Sequence, residues 1–89
     1  MPIDKALLSD STGMLILKLL DGQDLYGYQM IEELARRSDK TFELKAGTLY
    51  PLLHTLKEKN WVRAYDAEAN GRVRRYYQLT REGKKALDE

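Results

Sequence analysis

Cysteine is absent from the 89-residue sequence, which excludes disulfides, thiolate metal sites and cysteine nucleophiles. His54 is the one histidine, so a histidine-rich metal cluster is excluded as well. Long apolar runs are missing. The densest, Met14-Leu15-Ile16-Leu17, is cut by Lys18, far short of the roughly 20 residues that a bilayer span needs. Met1 to Lys5 has no basic stretch followed by an apolar one, so no signal peptide is expected. Together with the missing cysteines, this suits a cytoplasmic location. Gly22 and Gly27 match neither the dinucleotide nor the P-loop glycine pattern. Ser9, Ser11 and Ser38 are remote from His54 in sequence, and Glu32 and Glu33 would face different sides of a helix. No catalytic residue, metal or cofactor is expected, and no enzyme.

What remains is a globular composition, with 43% apolar and 33% charged residues. The length fits one domain over 1–89, small enough for oligomerisation to be a common remedy for limited burial. The net charge of +1 conceals an asymmetry. Residues 1–35 carry 2 Lys/Arg against 6 Asp/Glu, a net −4; residues 36–65 carry 7 against 3, a net +4; residues 66–89 carry 6 against 5. An acidic first third beside a basic remainder suggests one positive face, which is what a polyanion needs.

No repeat, linker or low-complexity tract interrupts the chain. Residues 5–20 read as helix one, apolar around most of its circumference and so buried on two sides, against the core and against a second chain. Asp21-Gly22 ends it. Helix two is expected from about Leu25 to Arg37, capped by Asp24, with Tyr28, Ile31, Leu34 and Ala35 as its core stripe. Lys40 to Leu44 alternates as a short extended segment. Helix three is expected from about Ala46 to Lys59, its Leu49, Leu52, Leu53 and Leu56 forming the clearest amphipathic stripe. The period then drops to two: Trp61–Ala67 and Arg72–Thr80 read as strands joined at Asn70-Gly71, a strong hairpin signal. A last helix runs from Thr80 to Leu87. The fold class is mainly α with a small β-hairpin, in the winged helix-turn-helix order α-α-α-β-β-α.

Opposite its leucines, helix three presents Gly47, Pro51, His54 and Glu58, flanked by Thr48, Tyr50 and Thr55. A major groove about 12 Å wide accepts a helix with such a face. The free backbone N–H groups around Gly47 and Thr48 suit a phosphate oxygen. Pro51 means that the helix either begins near Leu49 or bends. Alternation along the second strand puts Arg72, Arg74 and Tyr76 on one side, with Arg75, Tyr77 and Leu79 on the other. A ribbon tipped with guanidiniums suits phosphates or a minor groove. A wet surface helix and solubilising edge arginines are the plainer alternatives, but the two features side by side are more specific than either. Tyr77 is expected to anchor the ribbon from beneath, and Trp61 to form a hydrophobic hinge.

Three strings, Leu25-Tyr26-Gly27-Tyr28-Gln29, Gly47-Thr48-Leu49-Tyr50-Pro51-Leu52-Leu53 and Arg74-Arg75-Tyr76-Tyr77-Gln78-Leu79-Thr80-Arg81-Glu82-Gly83, together resemble the PadR family of transcriptional regulators over roughly residues 12–88. The resemblance implies a winged helix homodimer that represses nearby genes from a palindromic double-stranded DNA operator and is relieved by a small aromatic effector. It makes Lys45, Thr48, Tyr50 and His54 the helix contacts, Tyr26, Tyr28 and Gln29 neighbours of the DNA backbone, and Arg72, Arg74 and Arg75 the wing. Two departures stand out. Relatives often carry serine or asparagine and then proline where this chain has Lys45-Ala46, so a side-chain cap worth about 1 kcal/mol is expected to be missing. The final helix is short, which implies either truncation or a minimal member that pairs through helix one; the homodimer is expected to use helix one and the C-terminal helix. The alternative from another class is a winged helix serving as a protein-interaction module without DNA binding, but that would have lost the basic wing and the polar helix face that this chain keeps.

Overall fold

The computed structural model describes residues 5–37 and 44–89, with side chains from Thr12 onward in the first helix. The elements are α1 (Lys5–Leu20), β1 (Leu25–Tyr26), α2 (Gly27–Arg37), α3 (Ala46–Glu58), β2 (Val62–Ala69), β3 (Arg72–Leu79) and α4 (Arg81–Asp88). The expected segment Lys40–Leu44 lies outside the described residues apart from Leu44, which is buried. β3 is the central strand of an antiparallel sheet ordered β1-β3-β2. Its turn has Asn70 at φ 53° and Gly71 at φ 79°, the two positive values that a tight hairpin requires.

β1 corrects the expectation that helix two begins at Leu25. Leu25 pairs with Tyr77 and Tyr26 with Tyr76. This lets Leu25 bury its side chain while β3 satisfies its backbone. α2 starts instead at Gly27, and the Tyr26 N–H donates to Gln29 Oε1 at 3.1 Å, half of a capping box. Asp24 does not cap that helix; its Oδ2 accepts from the Tyr65 hydroxyl and from Gln78 Nε2. The later start also rotates the buried stripe to Gly27, Met30 and Leu34. Tyr28, expected in that stripe, is 60% exposed.

The core joins Ile16, Leu17, Leu19 and Leu20 of α1 to Met30 and Leu34 of α2, Leu49, Leu53 and Leu56 of α3, and Val62 and Tyr77 of the sheet. Tyr77 lies beneath the ribbon, as its alternation implied. Burial raises its phenol above the usual tyrosine range, with the Arg75 charge opposing and Tyr50 adding to the rise. Leu52 and Trp61 pack on the edge of the core. α3 ends as helices with a left-handed residue after them do. Asn60 takes φ 65°, its N–H donates to the Lys57 carbonyl, and the Trp61 N–H donates to the Leu56 carbonyl, both at 3.0 Å. Thr80 caps α4 by accepting the Gly83 N–H at 3.0 Å. Gly83 lies so close to the Trp61 carbonyl group that a Cβ there would sit 2.9 Å from its carbon.

Candidate nucleic-acid interface

The leucine stripe settles which side of α3 faces outward. With Leu49, Leu53 and Leu56 buried, Lys45, Gly47, Thr48, Tyr50, Pro51, His54, Thr55 and Glu58 are all exposed. Lys45 stands at the N-cap with extended backbone and no side-chain cap, so the anticipated missing cap is observed. Its carbonyl accepts the N–H groups of both Thr48 and Leu49 at 2.9 Å. The N–H groups of Ala46 and Gly47 precede the first carbonyl the helix can offer them, leaving a concentration of positive partial charge at the exposed end.

Pro51 lies inside the helix, which begins at Ala46 and not near Leu49. Proline has no N–H, so the Gly47 carbonyl loses its helical donor. Gly47 is exposed and has open space where a Cβ would stand. Farther along, His54 Nε2 lies 2.7 Å from Glu58 Oε1, a pairing that sets one ring nitrogen beside a carboxylate one turn away.

The wing is a two-stranded ribbon beyond the point where β1 stops. β1 reaches only Tyr76 and Tyr77, whereas β2 and β3 stay paired out to Ala69 opposite Arg72. Arg72 is exposed near the tip, and so is its neighbour Val73, at 72%. Arg75 is exposed and 3.5 Å from Asp66 across the strands. Arg74 is placed differently. Its guanidinium carbon stands 4.7 Å from the centre of the Tyr26 ring, and its Nε is buried without a hydrogen-bond partner among the described residues.

Of the residues that the sequence singled out, Tyr26, Gln29 and Arg74 are brought together at the junction of β1, α2 and β3. Tyr50 joins them from α3, its ring packed on Gly27 so closely that a Cβ there would come within 2.9 Å of Cζ. Lys45, Gly47, Thr48 and His54 share the outer side of α3. Arg72 and Arg75 stay apart on the ribbon. Tyr65 was missed, and so was its stack on Tyr76, which alternation had put on the side of Arg72 and Arg74: the two rings lie 5.7 Å apart across β2 and β3. The strand register, which puts Tyr65 opposite Tyr76, is the signal that could have found them. The hydrogen bond to Asp24 holds the Tyr65 phenol above the usual tyrosine range, with desolvation adding to it.

A groove of about 1000 Å³ lies beside α3, its lining including Gly13, Met14, Thr48, Pro51, Leu56 and Trp61. Among the described residues no cluster of potential metal ligands occurs, and no helix is long and apolar enough to cross a membrane.

The model of the Transcriptional regulator PadR-like family matches residues 16–89. A transcriptional regulator of Mycobacterium tuberculosis is 33% identical over 66 residues, covering 74% of this chain and 59% of that protein. Among solved structures, a transcriptional regulator from Clostridium thermocellum superposes with a TM-score of 0.85 at 27% identity, covering 94% of this chain and 82% of that one. A PadR family transcription regulator from Clostridium difficile superposes with a TM-score of 0.73 at 36% identity, covering 85% and 78%.

Proposed function

The chain belongs to the PadR-like family of transcriptional regulators, and from that premise we propose that it acts as a homodimeric repressor on a palindromic DNA operator. In this reading Lys45, Thr48, Tyr50 and His54 meet the major groove and the amides at Gly47 meet a phosphate. Tyr28 and Gln29 lie along the DNA backbone, and Arg72, Arg74 and Arg75 carry the wing onto flanking phosphates. The observation that carries it is the outer side of α3: exposed from Lys45 to Glu58 while the leucines beneath are buried, so the helix is anchored and its polar side is open.

Pairing through α1 and α4 would set two reading helices about 34 Å apart, one turn of duplex. The exposed Leu15 of α1 supports that pairing. Relief by a small aromatic effector belongs to the same reading, supported by the groove that runs from Trp61 to Thr48 and Pro51. A ligand there would press on the reading helix, and its binding would quench the fluorescence of the one tryptophan.

The test is binding of the full chain to duplex fragments selected from a genomic pool and to mixed-sequence duplex, each at several salt concentrations. Affinity should fall steeply with salt, since each neutralised phosphate contributes about 0.9 to the logarithmic slope. The selected fragments should contain inverted repeats. Salt-independent binding, or no preference for any fragment, would refute the reading.

A further inference from the structure

The family resemblance made Tyr26 a neighbour of the DNA backbone. Its surroundings suit a different task. Among the described residues the wing beyond Tyr76 has two strands and no third, and an isolated two-stranded ribbon is marginally ordered in water. Something must set its direction relative to α2 and α3 if its arginines are to meet phosphates at a fixed place.

The contacts around Tyr26 form a closed circuit. Its ring meets Tyr76 of β3 edge-on at 5.4 Å and 87°. Tyr76 stacks on Tyr65 of β2. The Tyr65 hydroxyl donates to Asp24, two residues before Tyr26 in the chain. All three strands are thus tied at the root of the ribbon. The Tyr26 N–H also donates to Gln29, which fixes the ring to the first turn of α2, and α2 packs on α3 through Gly27 and Tyr50. The Arg74 guanidinium lies over the Tyr26 ring.

We propose that Tyr26 is a positioning residue for the wing: it holds the ribbon root against α2 and pre-stacks Arg74, so that Arg74 meets a phosphate without first being ordered. This rests on the DNA-binding reading above. An arginine carries about 2 kcal/mol of rotamer entropy, and prior stacking removes part of that cost on binding. The buried, unpartnered Nε fits, because the guanidinium lies over the Tyr26 ring while the residue as a whole stays part-exposed.

The experiment is a double-mutant cycle on the full chain with Tyr26→Leu and Arg74→Ala. Affinity for a 30-base-pair mixed-sequence duplex is read against salt, together with the nuclear magnetic resonance signal of the Arg74 Nε–H in the free protein. Arg74→Ala should weaken binding about tenfold, the loss of one charged hydrogen bond, and flatten the salt slope by about one, and Tyr26→Leu should lose part of that affinity by unstacking Arg74. The double variant should be no weaker than Arg74→Ala alone. Tyr26→Leu should move the Arg74 Nε–H signal to its unstacked position, and Tyr26→Phe should restore both signal and affinity. Should Tyr26→Leu fail to fold, Arg74→Lys decides: it keeps the charge but loses the plane, so it should bind more weakly than the unmodified chain while keeping its salt slope. Multiplicative losses in the cycle overturn the proposal. So does a Tyr26→Phe variant that binds as weakly as Tyr26→Leu, since the hydroxyl would then be the contact, and so does an Arg74→Lys variant with full affinity. If the unmodified chain shows no salt-dependent binding to DNA, the earlier reading falls instead.

Discussion

The outward sides of α3 and of the β-sheet are both polar, yet their side chains are engaged differently. On the sheet, Tyr26, Tyr65, Tyr76, Arg74, Asp24 and Gln78 are occupied with one another through rings and hydrogen bonds. On α3, Lys45, Gly47 and Thr48 stand exposed with no side-chain hydrogen bond among the described residues, and only the second half of the helix has the His54–Glu58 pair. A polar side chain that has already found partners has less to gain from a ligand than one facing water. Under the proposed function the contrast would separate roles: the open side chains at the start of α3 would discriminate between ligands, whereas the tyrosine circuit at the root of the ribbon would give shape. Substitutions on the two sides should therefore fail in different assays.

The glycines sharpen this most. At Gly83, α4 rests on a fixed carbonyl group and a Cβ would also come within 2.8 Å of Leu79 Cδ1. Gly83→Ala should cost about 3 kcal/mol of stability, the upper range for forced overpacking, read from urea unfolding. Next come the α3 side chains. Thr48→Ala or His54→Ala should change the preference at one base pair by about 1–3 kcal/mol and leave unfolding unchanged. Selection of bound fragments with each variant checks this. A stability loss at either position would break the contrast. Gly47→Ala should act with opposite sign to Gly83→Ala, because a Cβ there meets open space. It should raise stability by about 0.5–1 kcal/mol in unfolding, through the unfolded chain, while weakening DNA binding by holding the backbone off a phosphate.

The smallest effect concerns pH. Tyr65 is raised by its hydrogen bond to Asp24, so its contribution to folding is present below the ordinary tyrosine pKa and lost as pH climbs through the folded value. Tyr65→Phe should accordingly lose less stability than the unmodified chain above about pH 10. No such alkaline difference should accompany substitutions at Thr48.

How much of this was legible in the sequence depended on range. The leucines of α3 lie within two turns of each other, and their spacing alone fixed the helix and its buried side. Asn70-Gly71 announced a turn whose two positive φ values are observed. β1 was not legible, because two residues have no period; Leu25 and Tyr26 are extended only because Tyr76 and Tyr77 come alongside. The same pairing moved the start of α2, exposed Tyr28 and redirected Asp24. The two-residue turn sets Tyr65 opposite Tyr76, but the rest of the tyrosine circuit needs contacts between residues 41 apart, such as Tyr65 and Asp24, that no local string specifies.

Pro51 has a consequence for anyone who maps this helix by mutation. The oxygen that loses its donor from position 51 is part of the main chain at residue 47, so replacing the residue that owns it leaves it in place. A side-chain scan would pass over it in silence. The way to remove that acceptor is from four positions downstream, by a residue at 51 that brings back an amide hydrogen.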